Sequence, residues 1–371
     1  QLITEMEEEE LLAYLTLQRI PKLGDTSIKR LIARFESAQN LLSQKMESLL
    51  KLDGIGTLKL KEFFEKEHRL AAEEELKFIQ DNKIHCCGYL ESEYPERLKH
   101  CIDGPILLFK RGSKDYTHQR MISIVGTRKV TSHGIDFIKQ FVEDLAPLNP
   151  LIVSGFAYGV DITAHRAALD NGLDTIAVLA HGLNQIYPKV HAKYVKAVEA
   201  QGAFITDFWS SDVFDRTNFL RRNRIIAGMS EATVVIESAE KGGSLVTADI
   251  AHSYNRDVFA VPGRPGDAQS LGCNNLIKTQ KAQLITSAAD LIYLLNWQIE
   301  EDLKPVQKQL FVELSSEEKL IWNYLSDAGK EQLDLIALHC KMPTFKVASI
   351  LLNMELKGVV RPLPGKQFEL T

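Results

Sequence analysis

Between residues 121 and 261 the chain repeats one unit: a short apolar run rich in β-branched residues, a turn containing glycine, then a longer stretch with helical spacing. The runs are Met121 to Val125, Leu151 to Val153, Thr175 to Leu179, Ala203 to Ile205, Thr233 to Ile236 and Val258 to Val261. Near-continuous apolar runs are buried on both faces, and strands separated by amphipathic helices pair in parallel through right-handed crossovers. The pattern predicts an α/β fold with a mainly parallel sheet. Ligands of such sheets bind at the carboxyl ends of the strands.

The flanks differ. Before residue 80 apolar positions recur at helical spacing, as in Leu11, Leu12, Leu15, Leu31, Ile32 and Phe35, interrupted by Pro21, Gly24 and Asp53-Gly54-Ile55-Gly56. Two turns, Ile20 to Asp25 and Leu52 to Thr57, resemble helix-hairpin-helix elements, whose glycine amides and nearby Lys59 and Lys61 suit a phosphate; plain helical turns are the alternative. Trp297 to Leu314 is polar, contains Pro305 and reads as a linker. Ser315 to Ser326, Glu331 to His339 and Thr344 to Lys357 then read as helices, the first opening on a Ser315/Glu318 capping pattern, and a hairpin over 359–370 completes a winged-helix outline. The expected domains are a helical domain over 1–80, an α/β domain over 81–297, a linker over 298–314 and a winged helix over 315–371.

The 371 residues hold 44 Lys and Arg against 49 Asp and Glu, a net charge of −5, so a nucleic-acid site has to be a local basic patch. One exists. Arg216-Thr217-Asn218-Phe219-Leu220-Arg221-Arg222-Asn223-Arg224 carries four arginines and no acid. Such crowded guanidiniums require an anion or buried carboxylates, and an aromatic among cations suits base stacking beside a phosphate backbone. The sequence leaves both readings open, with Arg222 and Arg224 as the structural pair, set against internal acids such as Asp207 or Glu237, because their helix runs on into Ile225, Ile226 and Ala227.

Glycine turns follow three of the strands: Gly126-Thr127-Arg128, Ser154-Gly155-Phe156-Ala157-Tyr158-Gly159, and Lys241-Gly242-Gly243-Ser244. Small residues at a helix start let backbone amides face a phosphate. Neither the dinucleotide spacing G-x-G-x-x-G nor the Walker pattern is present, and His165, His181 and His191 lack the partners of a catalytic triad or zinc site, so they read as structural. The five cysteines form no C-x-x-C pair, which argues against a disulfide framework or zinc knuckle. No cofactor or metal is expected. The acidic start at Glu7 to Glu10 and the lack of a long apolar run predict a cytoplasmic protein with no membrane partner.

Six ordered motifs carry a resemblance: Ile124-Val125-Gly126-Thr127-Arg128; Ser154 to Asp161 with Ala164-His165; Tyr187-Pro188; Phe219 with Arg222 to Gly228; Gly243 to Ala248; and Ala260-Val261-Pro262-Gly263. Together they resemble the DNA processing protein A family, DprA or Smf, over about residues 84 to 295. The resemblance implies a non-enzymatic, homodimeric protein whose 81–297 domain is an extended Rossmann-like, mainly parallel core, which binds single-stranded DNA, protects incoming DNA and loads the recombinase RecA in natural transformation. It places DNA contacts on Arg128, Arg216 and Phe219, and phosphates on amides of the Ser154 to Gly159 and Gly243-Ser244 turns. The candidate DNA-binding set is Gly126, Thr127, Arg128, Ser154, Gly155, Ala157, Gly159, Arg216, Phe219, Arg221, Arg222, Lys241, Gly243 and Ser244.

Two other functions compete. A Rossmann-like hydrolase processing nucleoside monophosphates needs a carboxylate beside its glycine turn, and Gly243-Ser244-Leu245-Val246-Thr247-Ala248-Asp249 lacks the Pro-Gly-Gly-x-Gly-Thr-x-x-Glu pattern. A transcriptional regulator needs a basic recognition helix, and Thr344 to Lys357 offers only Lys346 and Lys357 against Glu355.

Overall fold

The computed structural model describes residues 6–49, 61–115, 120–297, 314–363 and 365–370. The second helix-hairpin-helix-like turn, Lys59 and nearly all of the expected linker lie outside these residues. The chain divides into two compact units, Gln1–Gln298 and Ile299–Thr371.

In the first unit the helices α1 (Glu8–Arg19), α2 (Asp25–Phe35), α3 (Ala38–Leu42), α4 (Met46–Leu49) and α5 (Lys66–Asp81) precede a nine-stranded sheet. Its strands are β1 (His85–Gly88), β2 (Leu107–Gly112), β3 (Met121–Val125), β4 (Leu151–Ser154), β5 (Thr175–Val178), β6 (Gly202–Thr206), β7 (Ala232–Val235), β8 (Asp257–Ala260) and β9 (Gln283–Leu284). Between them run α6 (Glu96–Lys99), α7 (Ser132–Leu145), α8 (Val160–Asp170), α9 (Val195–Gln201), α10 (Thr217–Met229), α11 (Gly243–Ser253) and α12 (Leu271–Lys278), and α13 (Ala288–Leu294) comes after β9. The sheet order is β1-β2-β6-β5-β4-β3-β7-β8-β9. From β6 to β9 every pairing is parallel, with Ile122 of β3 opposite Ile152 of β4 and Ala232 of β7. The six runs read as strands are the six strands β3 to β8, each within a residue of its expected bounds. The antiparallel edge pair β1–β2 carries no such signature, because His85-Cys86-Cys87-Gly88 and Leu107-Leu108-Phe109 contain no β-branched residue.

The alternation along β3 sorts the core. Ile122 and Ile124 join Ile138, Phe141 and Val142 of α7 and Val160 and Ala164 of α8 on one face. Met121 and Val125 face the other side, with Ile225, Ile226 and Met229 of α10. That second core continues without a break into Leu15, Leu17, Ile28 and Ile32 of the N-terminal helices, so the segment expected as a separate domain over 1–80 shares its core with the sheet.

Arg224 ties the same elements together by charge. Its Nη2 donates to Asp207, beyond β6, and at 3.3 Å to Asp25 of α2, while Nη1 donates to the Asp103 carbonyl. Asp207 is 3% exposed. This is the structural role anticipated for Arg224, with Asp207 as partner. Glu237 instead accepts from the Thr131 amide and hydroxyl at the start of α7.

In the second unit α14 (Ser316–Ala328), β10 (Lys330–Gln332), α15 (Leu333–His339), α16 (Thr344–Leu356), β11 (Val360–Leu363) and β12 (Gln367–Leu370) form a winged helix with antiparallel sheet order β10-β12-β11. Both capping-box hydrogen bonds between Ser315 and Glu318 are made. Glu331 and Gln332 form strand where helix was expected. The two lysines of the recognition-helix position are engaged by acids at the start of α14: Lys346 by Glu317 and Lys357 by Glu318. Among the described residues no single helix is long and apolar enough to cross a membrane.

Buried charge governs stability in two testable places. Arg224→Met removes the buried cation between Asp25 and Asp207 and leaves Asp207 to the half-exposed Arg221 alone, and should cost about 3 to 5 kcal/mol in urea unfolding. His165 is fully buried on α8, and burial, aided by His191 and Arg222, pulls its pKa down to about 3. The unfolded chain takes up that proton near pH 6.5 while the folded chain refuses it, so stability is full above about pH 6.5 and is lost as pH falls toward about 3. A His165→Gln variant should show a flatter decline of stability over this window than the wild type; an identical slope would contradict the assignment.

Candidate nucleic-acid interface

The chain winds from β3 through β4 and β5 to β6 on one side, then crosses to β7 and β8 on the other side of β3. Loops leaving the carboxyl ends of β3 and its neighbours diverge at this reversal and open a crevice. A cavity of about 660 Å³ fills it, walled by Gly126, Thr127 and Arg128 after β3, Ala157 after β4, Arg216 and Phe219 at the start of α10, and Gly242, Gly243 and Ser244 at the start of α11. Loops far apart in the sequence thus meet on one rim, as the glycine turns implied.

The loops lock one another. The Thr127 amide donates to the Glu237 carbonyl at 2.7 Å, and the Val160 amide to the Thr127 carbonyl at 3.1 Å. Gly159 has φ +74°, and a Cβ there would lie 2.3 Å from the Thr127 oxygen, so only glycine lets the β4 loop dock under the β3 loop. Phe156 also holds a left-handed φ of 61° while its buried ring packs edge-on against His191 and Phe204. These contacts tie the β3 and β4 loops to one another.

Beneath it lies a buried cation. Arg222 is 5% exposed, and its Nη1 donates to the carbonyls of Gly155 and Val178, both at 2.6 Å. Burial pushes its pKa down to about 10, with Asp161 pulling the other way, so it stays charged at neutral pH. Burial raises the Asp161 carboxyl, opposed by Arg222; its Oδ2 accepts the Ala157 amide at 3.3 Å. A Cβ on Gly155 would stand 2.2 Å from Arg222 Nη1, which explains the glycine.

Arg128 and Arg216 differ from the other arginines. Both are exposed on the cavity wall, and among the described residues neither pairs with a carboxylate. The Arg128 guanidinium lies 5.0 Å from the centre of the Phe219 ring. Phe219 meets Phe214 edge-on at 5.7 Å and Tyr187 at 5.9 Å, and Tyr187 and Phe214 are 4.9 Å apart. Three part-exposed rings therefore stand beside two cations. Lining the same cavity, the Gly243 and Ser244 amides stand in the first turn of α11, where the helix offers no acceptor and Gly242 supplies no cap.

The other candidate residues are placed differently. Ser154 is fully buried and its hydroxyl donates to the Ile124 carbonyl, and Gly155 is covered by Arg222, so both lie under the rim. The Thr127 and Ala157 amides are taken by Glu237 and Asp161, so these turns present side chains and loop shape more than free amides. Arg222 forms the cavity floor with both carbonyl bonds directed into the protein. Arg221 is half-exposed but pairs with Asp207 at 3.2 Å, and Lys241 is exposed beside the α11 turn, outside the cavity wall. Sequence reasoning gave no role to Tyr187 and overlooked Phe214; the signal for Phe214 was an aromatic two residues before Arg216 in a polar stretch. His165, His181 and His191 are buried and hydrogen-bonded, to Thr175, Gly182 and Phe156, as structural histidines should be.

The family model for DNA recombination-mediator protein A matches residues 85–296, and that for the DprA winged helix domain residues 308–366. The chain is 33% identical over 306 residues to Protein Smf of Escherichia coli K12, covering 80% of each. It is 36% identical over 204 residues to DNA processing protein DprA of Streptococcus pneumoniae, covering 55% of this chain and 71% of that protein. The X-ray structure of DNA processing protein A from Streptococcus pneumoniae aligns with TM-score 0.66 at 28% identity, over 78% of this chain and 98% of its own. A structure of DNA processing protein A from Helicobacter pylori, described for its unique single-stranded DNA binding mode, aligns with TM-score 0.52 at 27% identity, over 58% of this chain and 96% of its own. With the ordered motifs, the sheet reversal at β3 and the winged helix already in place, these matches establish that the chain belongs to the DNA recombination-mediator protein A family.

Proposed function

We propose that this protein binds single-stranded DNA along the carboxyl edge of its sheet, without sequence preference and without catalysing a reaction on it. The observation that carries the reading is the pairing of Arg128 and Arg216, cations with no carboxylate partner among the described residues, with the part-exposed rings of Phe219, Phe214 and Tyr187 on one cavity wall. Guanidiniums meet phosphates and rings meet bases, and neither contact depends on which base is present. The Gly243 and Ser244 amides add a phosphate seat at the α11 start. The name of the Helicobacter pylori structure, which concerns single-stranded DNA, supports the same partner. As a member of its family the protein acts, in this reading, in the cytoplasm as a homodimer that protects incoming DNA and loads RecA during natural transformation.

The hydrolase alternative requires a free carboxylate near the turns. Asp161 is the acid on the cavity wall, and its Oδ2 already holds the Ala157 amide beside Arg222. Incubation with nucleoside monophosphates should release no free base, and release would reverse the assignment.

The direct test is a titration with single-stranded and duplex DNA over a salt series. Phe219→Ala should weaken single-strand binding by about 1 to 3 kcal/mol. Arg128→Ala and Arg216→Ala should each reduce the salt slope by about one. Unchanged affinity and slope in folded variants would remove the interface from this cavity.

A further inference from the structure

The loop that brings Phe214 and Arg216 to the cavity, residues 207–216, joins β6 to α10; Asp207 is held by Arg221 and Arg224 of α10 and the Ser210 carbonyl by Asn184, and the loop's other anchors lie on the N-terminal helices. Trp209 is 2% exposed and donates its Nε1 to Gln18 Oε1 of α1 at 2.7 Å. The Arg19 guanidinium lies 3.5 Å from the centre of the Trp209 ring, and its Nη1 and Nη2 donate to Asp212 Oδ1 at 2.8 Å and Ser211 Oγ at 3.1 Å. The Glu75 carboxylate of α5 is 4% exposed and accepts the Ser210 amide at 2.8 Å and hydroxyl at 2.5 Å. Four consecutive loop residues, Trp209 to Asp212, are thus held by two helices distant in sequence. Beyond Asp212 the hydrogen bonds run to the first turn of α10, with Asn218 donating to the Val213 carbonyl and Thr217 to Asp215, and Phe214 packs against Tyr187, His181 and Phe219.

We propose that the N-terminal helices are a positioning element of the DNA interface: Arg19 and Glu75 fix the 207–216 loop so that Arg216 and Phe214 line the cavity, and neither touches the nucleic acid. This differs from a phosphate contact by the helix-hairpin-helix-like turns, and it rests on the single-stranded DNA reading. Without the grip, the loop samples other paths, and the cavity wall must be ordered at the moment of binding. Arg19 and Glu75 are positioning residues, acting through Arg216 and Phe214.

The test measures single-stranded DNA affinity of the full chain across a salt series. Arg19→Met keeps an apolar stem against Trp209 and removes the hydrogen bonds to Asp212 and Ser211. It should weaken binding about five- to tenfold with an unchanged salt slope, since no phosphate contact is lost. Glu75→Ala should behave alike, and Glu75→Gln, which can still accept the Ser210 amide, should recover most of the affinity. In an Arg216→Ala, Phe214→Ala background, Arg19→Met should cost less than about twofold, because its route to the DNA is already gone. A salt slope lowered by about one would mean that Arg19 meets phosphate directly and would overturn the proposal, as would unchanged affinity in a folded Arg19→Met protein or an undiminished cost in the double background. Should the wild type itself not bind single-stranded DNA, the parent reading fails separately; amide exchange over 207–216, expected to quicken in Arg19→Met, then decides whether the grip exists.

Discussion

A guanidinium buried under the strand ends organises this molecule. Arg222 threads from α10 to the carbonyls of Gly155 and Val178, at the carboxyl ends of β4 and β5, and stands beside the Asp161 carboxyl. Carbonyl groups at strand ends have no ladder partner and need donors when buried; a planar cation with several N–H groups satisfies two of them from one side chain. The helix that carries Arg222 also carries Phe219 on the cavity wall and Arg224 one position past Asn223. Fixing α10 by its buried charges therefore fixes the direction in which its aromatic faces. The cavity takes its shape from that constraint.

The four-arginine segment shows how a single stretch divides its labour by helical phase. Arg216 precedes the helix and stays exposed, Arg221 is half-exposed against Asp207, and Arg222 and Arg224 turn inward. Crowded positive charge is tolerated because three of the four have acceptors within the protein and the fourth, Arg216, points to solvent. Acidic composition overall and a basic crevice locally are compatible for the same reason: the acids Asp25 and Asp207 that neutralise the helix lie behind the wall, and Arg128 and Arg216 lie in front of it.

Much of this was legible in the chain. The strands β3 to β8 announced themselves because strands covered on both faces have near-continuous apolar runs, and Gly126, Gly155 and Gly159 marked the rim because close docking there excludes a Cβ. The inward turn of Arg224 agreed with the apolar residues that continue its helix. The fate of the turn amides was not legible: Thr127 and Ala157 direct theirs to Glu237 and Asp161, one distant in sequence and one a single helical turn away, and no local pattern says which acceptor wins. The antiparallel pair β1–β2 was hidden for lack of β-branched residues. The shared core of helices and sheet could not be read either, since helical periodicity gives an apolar face without saying what covers it.

That shared core bears on how the molecule comes apart. Leu15, Leu17, Ile28 and Ile32 lie in one apolar body with Phe109, Phe204 and Ile225, so no seam divides the N-terminal helices from the sheet. A fragment beginning at β1 would carry an uncovered oily flank, and the isolated helices would have nothing to fold upon. Melting should take both in a single cooperative step, leaving the winged helix, with its own small core around Ile321, Val347 and Leu351, as the separately melting piece.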